Sequence, residues 1–182
     1  RDFGGRRQYI QLTGASVVGL DAKTGDTLWQ APRKGRTATI TTPVFHEGHL
    51  FVSSAYGVGC NGFKVTRNKA GFSAKQIYSN KSIANHRGCI RVGDYVYGSS
   101  GSTLACLELK TGKEMWRERS AGKGSIVVVD GKIILRAEKG PIALVELNPK
   151  AYKEISRFDQ PDRSRAKAWP HPVVSNGILY IR

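Results

Sequence analysis

Residues 19–29 read GLDAKTGDTLW, and residues 106–116, 87 positions later, read CLELKTGKEMW. The pairs Thr24-Gly25 and Thr111-Gly112 occupy the same place in both, and each stretch ends on a tryptophan five residues beyond the threonine, Trp29 and Trp116. Either a catalytic loop is used twice or a structural unit recurs. Pro43–Val52 aligns without a gap with Pro172–Ile181, at a separation of three times 43 residues. Two more copies fit between them, Gly88–Tyr97 around Gly93-Asp94 and Ile126–Leu135 around Asp130-Gly131. The turn glycines Gly48, Gly93, Gly131 and Gly177 are then 45, 38 and 46 residues apart. A repeat of that length, made of short apolar runs and glycine turns, predicts an all-β fold of four-stranded propeller blades.

In the unit from Thr37 to Asn80, the predicted strands are Thr42–Phe45, Leu50–Ser53, a third around Phe63–Thr66, and an outermost one at Ala74–Tyr78. Alternation in Tyr95-Val96-Tyr97 and the β-branched run Ile126–Val129 suit buried strands, and no helical stretch of ten residues is present. The opening motif is therefore a third strand, a Thr-Gly turn and the start of an outer strand. Asp21 recurs as Glu108 and as Glu146, while the second unit has Lys64 in that place. Gly25 and Gly112 supply positive φ to the turn. Trp29 and Trp116 lie flat between neighbouring sheets with the indole N–H on a polar partner. The other units carry Tyr78 and Ile155-Ser156 there, which predicts looser packing. The blade pieces run at about 8–36, 37–80, 81–120, 121–160 and 168–182. Tyr9-Ile10-Gln11 aligns with Tyr180-Ile181-Arg182, so the chain is expected to enter and leave at a second strand, as an excerpt of a longer array.

Composition agrees with this class. Of the 182 residues, 40% are apolar and 24% charged, which excludes disorder, and 21 Gly against one Met favours turns over helices. No apolar run approaches the roughly 18–20 residues of a membrane span. Cys60, Cys89 and Cys106 form no CxxC or adjacent pair; they read as small buried thiols, although a bridge between two of them stays open. The net charge of +15, from 29 Lys and Arg against 14 Asp and Glu, favours polyanionic partners. The basic clusters Arg33–Arg36, Arg67–Lys69 and Arg163–Lys167 sit in links between apolar runs, which reads as solvated turns.

Set in this frame, GLDAKTGDTLW and CLELKTGKEMW resemble the tryptophan-docking motif of the pyrroloquinoline-quinone (PQQ) type propeller repeat, the quinoprotein-like fold, from about Gln8 to Arg182. YGVGCNGFKV, NHRGCIRVGDYVYG and FDQPDRSRAKAWPHPVVSNGILYIR resemble planctomycete-type PQQ-binding-like and outer-membrane-assembly-factor-B-like proteins. The resemblance implies an exported, periplasmic or envelope-associated bacterial protein of seven or eight blades, of which about four are present. It also implies chain on both sides of the present one, and self-association of a partial ring. Its docking residues map onto Asp21, Thr24, Gly25, Trp29, Glu108, Thr111, Gly112 and Trp116.

Quinoprotein dehydrogenases of this fold class use a stacked quinone, a Ca²⁺ held by carboxylate and amide oxygens, an Asp base and often two adjacent cysteines. This chain has no adjacent Cys pair, and Asp21, Asp26, Glu108 and Glu114 fall in outer turns, so no cofactor, catalytic or metal residue is evident within it. PQQ with Ca²⁺ would require ligands from missing blades. His86, in Asn85-His86-Arg87-Gly88, and His171, in Trp169-Pro170-His171-Pro172, both precede a first strand, near the funnel mouth. The resemblance implies Asn-His-His-Gly at this place, and Arg87 in place of the second His counts against a two-His metal site. Asn85, His86, Arg87, Trp169 and His171 are therefore the candidate ligand contacts, with hydrogen bonding of the links between blades as the alternative. His46 and His49 flank a turn and read as solvated. Gly122-Lys123-Gly124-Ser125 lacks the spacing and helix of a phosphate loop.

The expected function is a non-catalytic propeller module that binds a protein partner or small ligand at the funnel. A fragment of a PQQ-dependent alcohol or sugar dehydrogenase, and a polyanion-binding basic propeller, are the alternatives.

Overall fold

The computed structural model describes residues 1–85 and 87–182, leaving His86 outside the described residues, and contains no helix among those it describes. Four antiparallel meanders follow one another, each of four strands in sequence order. The first is β1 (Asp2–Phe3), β2 (Arg6–Leu12), β3 (Ser16–Asp21) and β4 (Thr27–Pro32). The second is β5 (Val44–His46), β6 (His49–Ser54), β7 (Gly59–Asn68) and β8 (Gly71–Asn80). The third is β9 (Ile90–Val92), β10 (Tyr95–Ser100), β11 (Thr103–Glu108) and β12 (Glu114–Arg119). The fourth is β13 (Gly124–Val129), β14 (Lys132–Ala137), β15 (Pro141–Glu146) and β16 (Glu154–Asp159), followed by the hairpin β17 (Val173–Ser175) and β18 (Ile178–Tyr180). The short strand Asp2–Phe3, paired with Arg6-Arg7, lies ahead of the expected entry at a second strand. β7 and β8 are longer than expected, each of 10 residues.

Two-residue turns join the first and second strands throughout. Glu47-Gly48, Asp130-Gly131 and Asn176-Gly177 have positive φ at both positions, the geometry that matches strand twist. The third sheet differs. There the turn between Val92 and Tyr95 is Gly93-Asp94, with positive φ at Gly93 alone. Gly93 thus stands where Glu47 does, one place before Gly48, a slip that spacing alone conceals.

Contacts divide the chain into two compact units, Arg1–His86 with Leu109–Gly112, and Arg87–Glu108 with Lys113–Arg182. In the first unit Leu12, Val17, Trp29 and Ala31 pack with Leu50, Val52, Phe63 and Val65 of the second sheet. In the other, Tyr97, Leu104, Cys106 and Trp116 pack with Ile126, Ile133, Leu135, Ala143 and Val145. Second and third strands supply most of these residues because they are flanked on both edges, while β16 leaves Ile155 and Phe158 exposed.

The docking tryptophans sit at a recurring irregularity. Each third-to-fourth strand ladder carries one register shift: at Gly19/Leu20, Gly62/Phe63, Cys106/Leu107 and Leu144/Val145. The residue opposite the first member of each pair is Trp29, Tyr78, Trp116 or Ser156. A bulge here leaves one unpaired residue (Leu28, Ile77, Met115 or Ile155) and turns the next side chain across the sheet. Trp29 lies directly over Gly19, where a Cβ would come within 2.2 Å of the indole, and its Nε1 donates to Gln8 Oε1 at 2.7 Å. Trp116 Nε1 donates to the Asn148 carbonyl at 2.8 Å, with the Tyr152 ring edge-on at 5.6 Å.

Tyr78 holds the same place over Gly62 and donates its hydroxyl to the Leu109 carbonyl at 2.8 Å. The second sheet therefore does have an aromatic wedge, against the expectation of loose packing; a phenol replaces the indole. Gly112 of the Thr-Gly turn meets this ring. Its φ is +72°, and a Cβ there would lie 2.4 Å from Tyr78.

In the first turn Asp21 is 4% exposed. Its Oδ1 accepts from the Lys23 N–H at 2.8 Å and the Thr24 N–H at 3.3 Å, and its Oδ2 pairs with Arg6 at 2.8 Å. The Lys23 N–H above all, then Thr24 and Arg6, hold the carboxyl below its ordinary value of 3.8 against the opposing effect of burial. The backbone bond across the turn recurs as Asp21 N–H to Asp26 O, Glu108 N–H to Lys113 O and Glu146 N–H to Lys153 O, so these three positions are equivalent.

Two sequence readings change, at Arg33 and at the histidines, while the buried-thiol reading holds for Cys60 and Cys106. Arg33 is 3% exposed rather than a solvated turn residue: its guanidinium donates to Ser54 Oγ (2.7 Å), Asn61 Oδ1 (3.0 Å) and the Gly59 carbonyl (3.2 Å), using the fork to tie three neutral acceptors. His46 and His49 are half-buried rather than solvated, and burial together with nearby Lys64 pushes the His49 imidazole down. Cys60 and Cys106 are buried thiols, both pushed up to about 11 mainly by burial.

Four outcomes are expected. Trp116→Ala destabilises its unit by about 3–5 kcal/mol in a denaturant melt, as for a buried aromatic; a loss under about 1 kcal/mol contradicts the wedge. Gly25→Ala, at φ +81° with open space around it, costs only the left-handed backbone penalty of roughly 1–2 kcal/mol. Gly112→Ala costs more, and the excess disappears in a Tyr78→Ala background, as a double-mutant cycle measures. Because the folded Asp21 carboxyl titrates low, its stabilisation is complete above the unfolded value and is lost as pH falls through the folded one. Asp21→Asn therefore flattens the acid limb of the melting curve below about pH 4, and an unchanged slope rules out this carboxylate as its source.

Candidate functional site

The link after the second sheet places Asn85. Ser53, on β6, donates its hydroxyl to the Asn85 carbonyl at 3.0 Å and accepts from the Asn85 N–H at 3.1 Å, while Thr41 donates to the same carbonyl at 3.3 Å. Asn85 is fully buried in the first unit, its main chain clasped by these hydroxyls. His86, the second candidate, lies outside the described residues.

Arg87, Trp169 and His171 belong to the second unit. Arg87 is 8% exposed and its guanidinium is ion-paired with Glu138. It also donates to the Ala168 carbonyl at 3.0 Å and lies 5.6 Å from the centroid of the Trp169 ring. Glu138, itself buried, takes a second cation, Lys123, at 3.6 Å. The Ala168 N–H returns to the Glu138 carbonyl at 2.9 Å, fastening the 160–172 loop to the residue that follows β14. His171 is exposed beside Gly88, with its Cε1 3.8 Å from the Cβ position there. The structure thus gathers Arg87, Trp169 and His171 in one unit and assigns Asn85 to the other.

A buried ion pair must offset a desolvation penalty of several kcal/mol per ion, and this one does so by sharing Glu138 between two cations and giving Arg87 a carbonyl. The result is a buried ion pair beneath Trp169, a residue that is 64% exposed. Sequence reasoning missed Glu138 and treated Lys123 only as part of a failed phosphate loop. The available signal is the alternation in Ile133-Ile134-Leu135-Arg136-Ala137-Glu138, where Arg136 and Glu138 both fall on the side shared with Ile134.

These groups do not fit the calcium and quinone centre of the dehydrogenases. Such a centre needs converging oxygen ligands, and the carboxylate of this group, Glu138, is already shared between Arg87 and Lys123. Among the described residues no three His, Cys, Asp or Glu side chains come together as a metal site.

Residues 1–118 match the protein family described as outer membrane protein assembly factor BamB. The BamB of Moranella endobia (strain PCIT) is 23% identical over 198 residues, covering 97% of this chain and 46% of its own. Among solved structures, BamB from Moraxella catarrhalis matches with a TM-score of 0.69 at 17% identity, over 100% of this chain and 54% of its own. The computationally designed Ika8 protein matches with a TM-score of 0.71 at 11% identity, over 98% and 52%. The chain spans about half the length of the relatives it matches. With four four-stranded blades, equivalent bulges in all of them and an aromatic wedge at three, this chain is a β-propeller protein of the PQQ-type repeat and belongs to the outer membrane protein assembly factor BamB family.

Proposed function

We propose that this chain is a non-catalytic, protein-binding module of an exported, envelope-located bacterial protein, and that it contacts its partner through the Trp169 face. The observation that carries this reading is the exposed indole held over a buried, ion-paired arginine. Aromatic and arginine side chains fixed in advance lose little entropy on association and dominate protein interfaces. The relatives are named as assembly factors for outer membrane proteins, which supports a partner from that machinery. The dehydrogenase alternative has less support, because Glu138, the carboxylate beside Arg87, is paired with two cations.

The test has two arms. A photo-reactive residue at position 169, in the source bacterium, gives a defined adduct with an outer membrane assembly protein. The purified pair then loses at least about tenfold in affinity on Trp169→Ala, with the melting temperature unchanged because the ring is exposed. Unaltered affinity overturns the Trp169 face. In the other arm the protein is mixed with PQQ and Ca²⁺, and bound quinone absorbance with dye-linked alcohol or sugar oxidation overturns the non-catalytic reading.

A further inference from the structure

The fifth residue of a second strand performs the same task in three sheets. It holds the main chain that runs on after the fourth strand. On β6 this is Ser53, which clasps Asn85; on β10 it is Ser99, which donates to the Gly124 carbonyl at 3.3 Å and accepts from its N–H at 3.3 Å. On β14 the position is Arg136, which donates to the Pro170 carbonyl at 3.4 Å. A hydroxyl is sufficient for this clasp. An arginine brings a buried positive charge that the clasp does not need.

Arg136 is 2% exposed, and it also donates to Gln160 Oε1 at 2.8 Å and to the main-chain oxygen of Arg182. Among the described residues no Asp or Glu side chain pairs with it, and its Nε has no hydrogen-bond acceptor. Burial, and behind it the positive charge of Arg163, lower its pKa, so the surroundings oppose the charge. It lines a cleft of about 320 Å³ with Arg163, Lys167, Gln160 and Arg182, against one acid, Asp162. Several cations around one small cavity repel each other, and an anion seated among them relieves both the repulsion and the desolvation. The guanidinium fork matches the oxygens of carboxylate and phosphate.

We propose that this cleft binds an oxyanion, the carboxylate or phosphate group of a small ligand, between Arg136, Arg163 and Lys167. The proposal is independent of the Trp169 face and uses different residues.

Titration calorimetry at low ionic strength, with inorganic phosphate and separately with succinate, tests it. Saturable binding of at least one anion is expected, and the tighter of the two identifies the acid group. The double variant Arg163→Gln/Lys167→Gln, on the loop after β16, weakens binding by about tenfold or more. Arg117→Gln/Arg119→Gln removes the same charge from the exposed side of β12 and leaves binding intact. Arg136→Ser, which restores the hydroxyl of the sister strands, also abolishes binding. Failure of both anions to saturate overturns the proposal. So does equal weakening in the two double variants, which reports diffuse attraction to the +15 charge.

Discussion

A ring laid across the last two strands of a sheet needs a small residue beneath it. Gly19 and Gly62 provide that space for Trp29 and Tyr78, and Cys106 is still small enough for Trp116. The fourth sheet has Leu144 in the same place, and the residue opposite it is Ser156. At these four bulges a ring stands opposite Gly19, Gly62 or Cys106, and a serine stands opposite Leu144. The bulge makes the arrangement workable: it adds one residue to the outer strand and aims the following side chain across the sheet. The Thr-Gly turn belongs to the same device, since Gly112 must leave room for Tyr78.

Polar side chains serve the main chain in the interior. Asp21 organises a turn, Ser53 and Ser99 clasp incoming links, and Arg33 ties three acceptors. Buried charges are satisfied either by a counter-ion, as Glu138 is for Arg87, or by neutral acceptors, as for Arg33. Arg136 has such acceptors too, but unlike Arg33 it lines a cleft with Arg163 and Lys167.

Much of the fold was legible because its signals are local. Turn dipeptides, apolar alternation and the spacing from Thr-Gly to Trp each lie within a dozen residues, and their recurrence located the sheets. The site was harder to read. Asn85 and Arg87 are two residues apart, yet one is clasped by Ser53 and the other is paired with Glu138, 51 positions away. The basic cluster at Arg33 looked solvated because sequence does not reveal that Ser54, Gly59 and Asn61 converge on it.

The sequence by itself determined the all-β class, the blade-sized repeat, the docking tryptophans and the equivalence of Asp21, Glu108 and Glu146. Short-range sterics and periodicity suffice for these. Tertiary structure alone decided that Tyr78 is a third wedge, that Glu138 anchors Arg87 beneath Trp169, and that Arg136 faces other cations. Each depends on which distant residues meet, and burial makes those meetings energetically decisive by removing the water that would otherwise screen them.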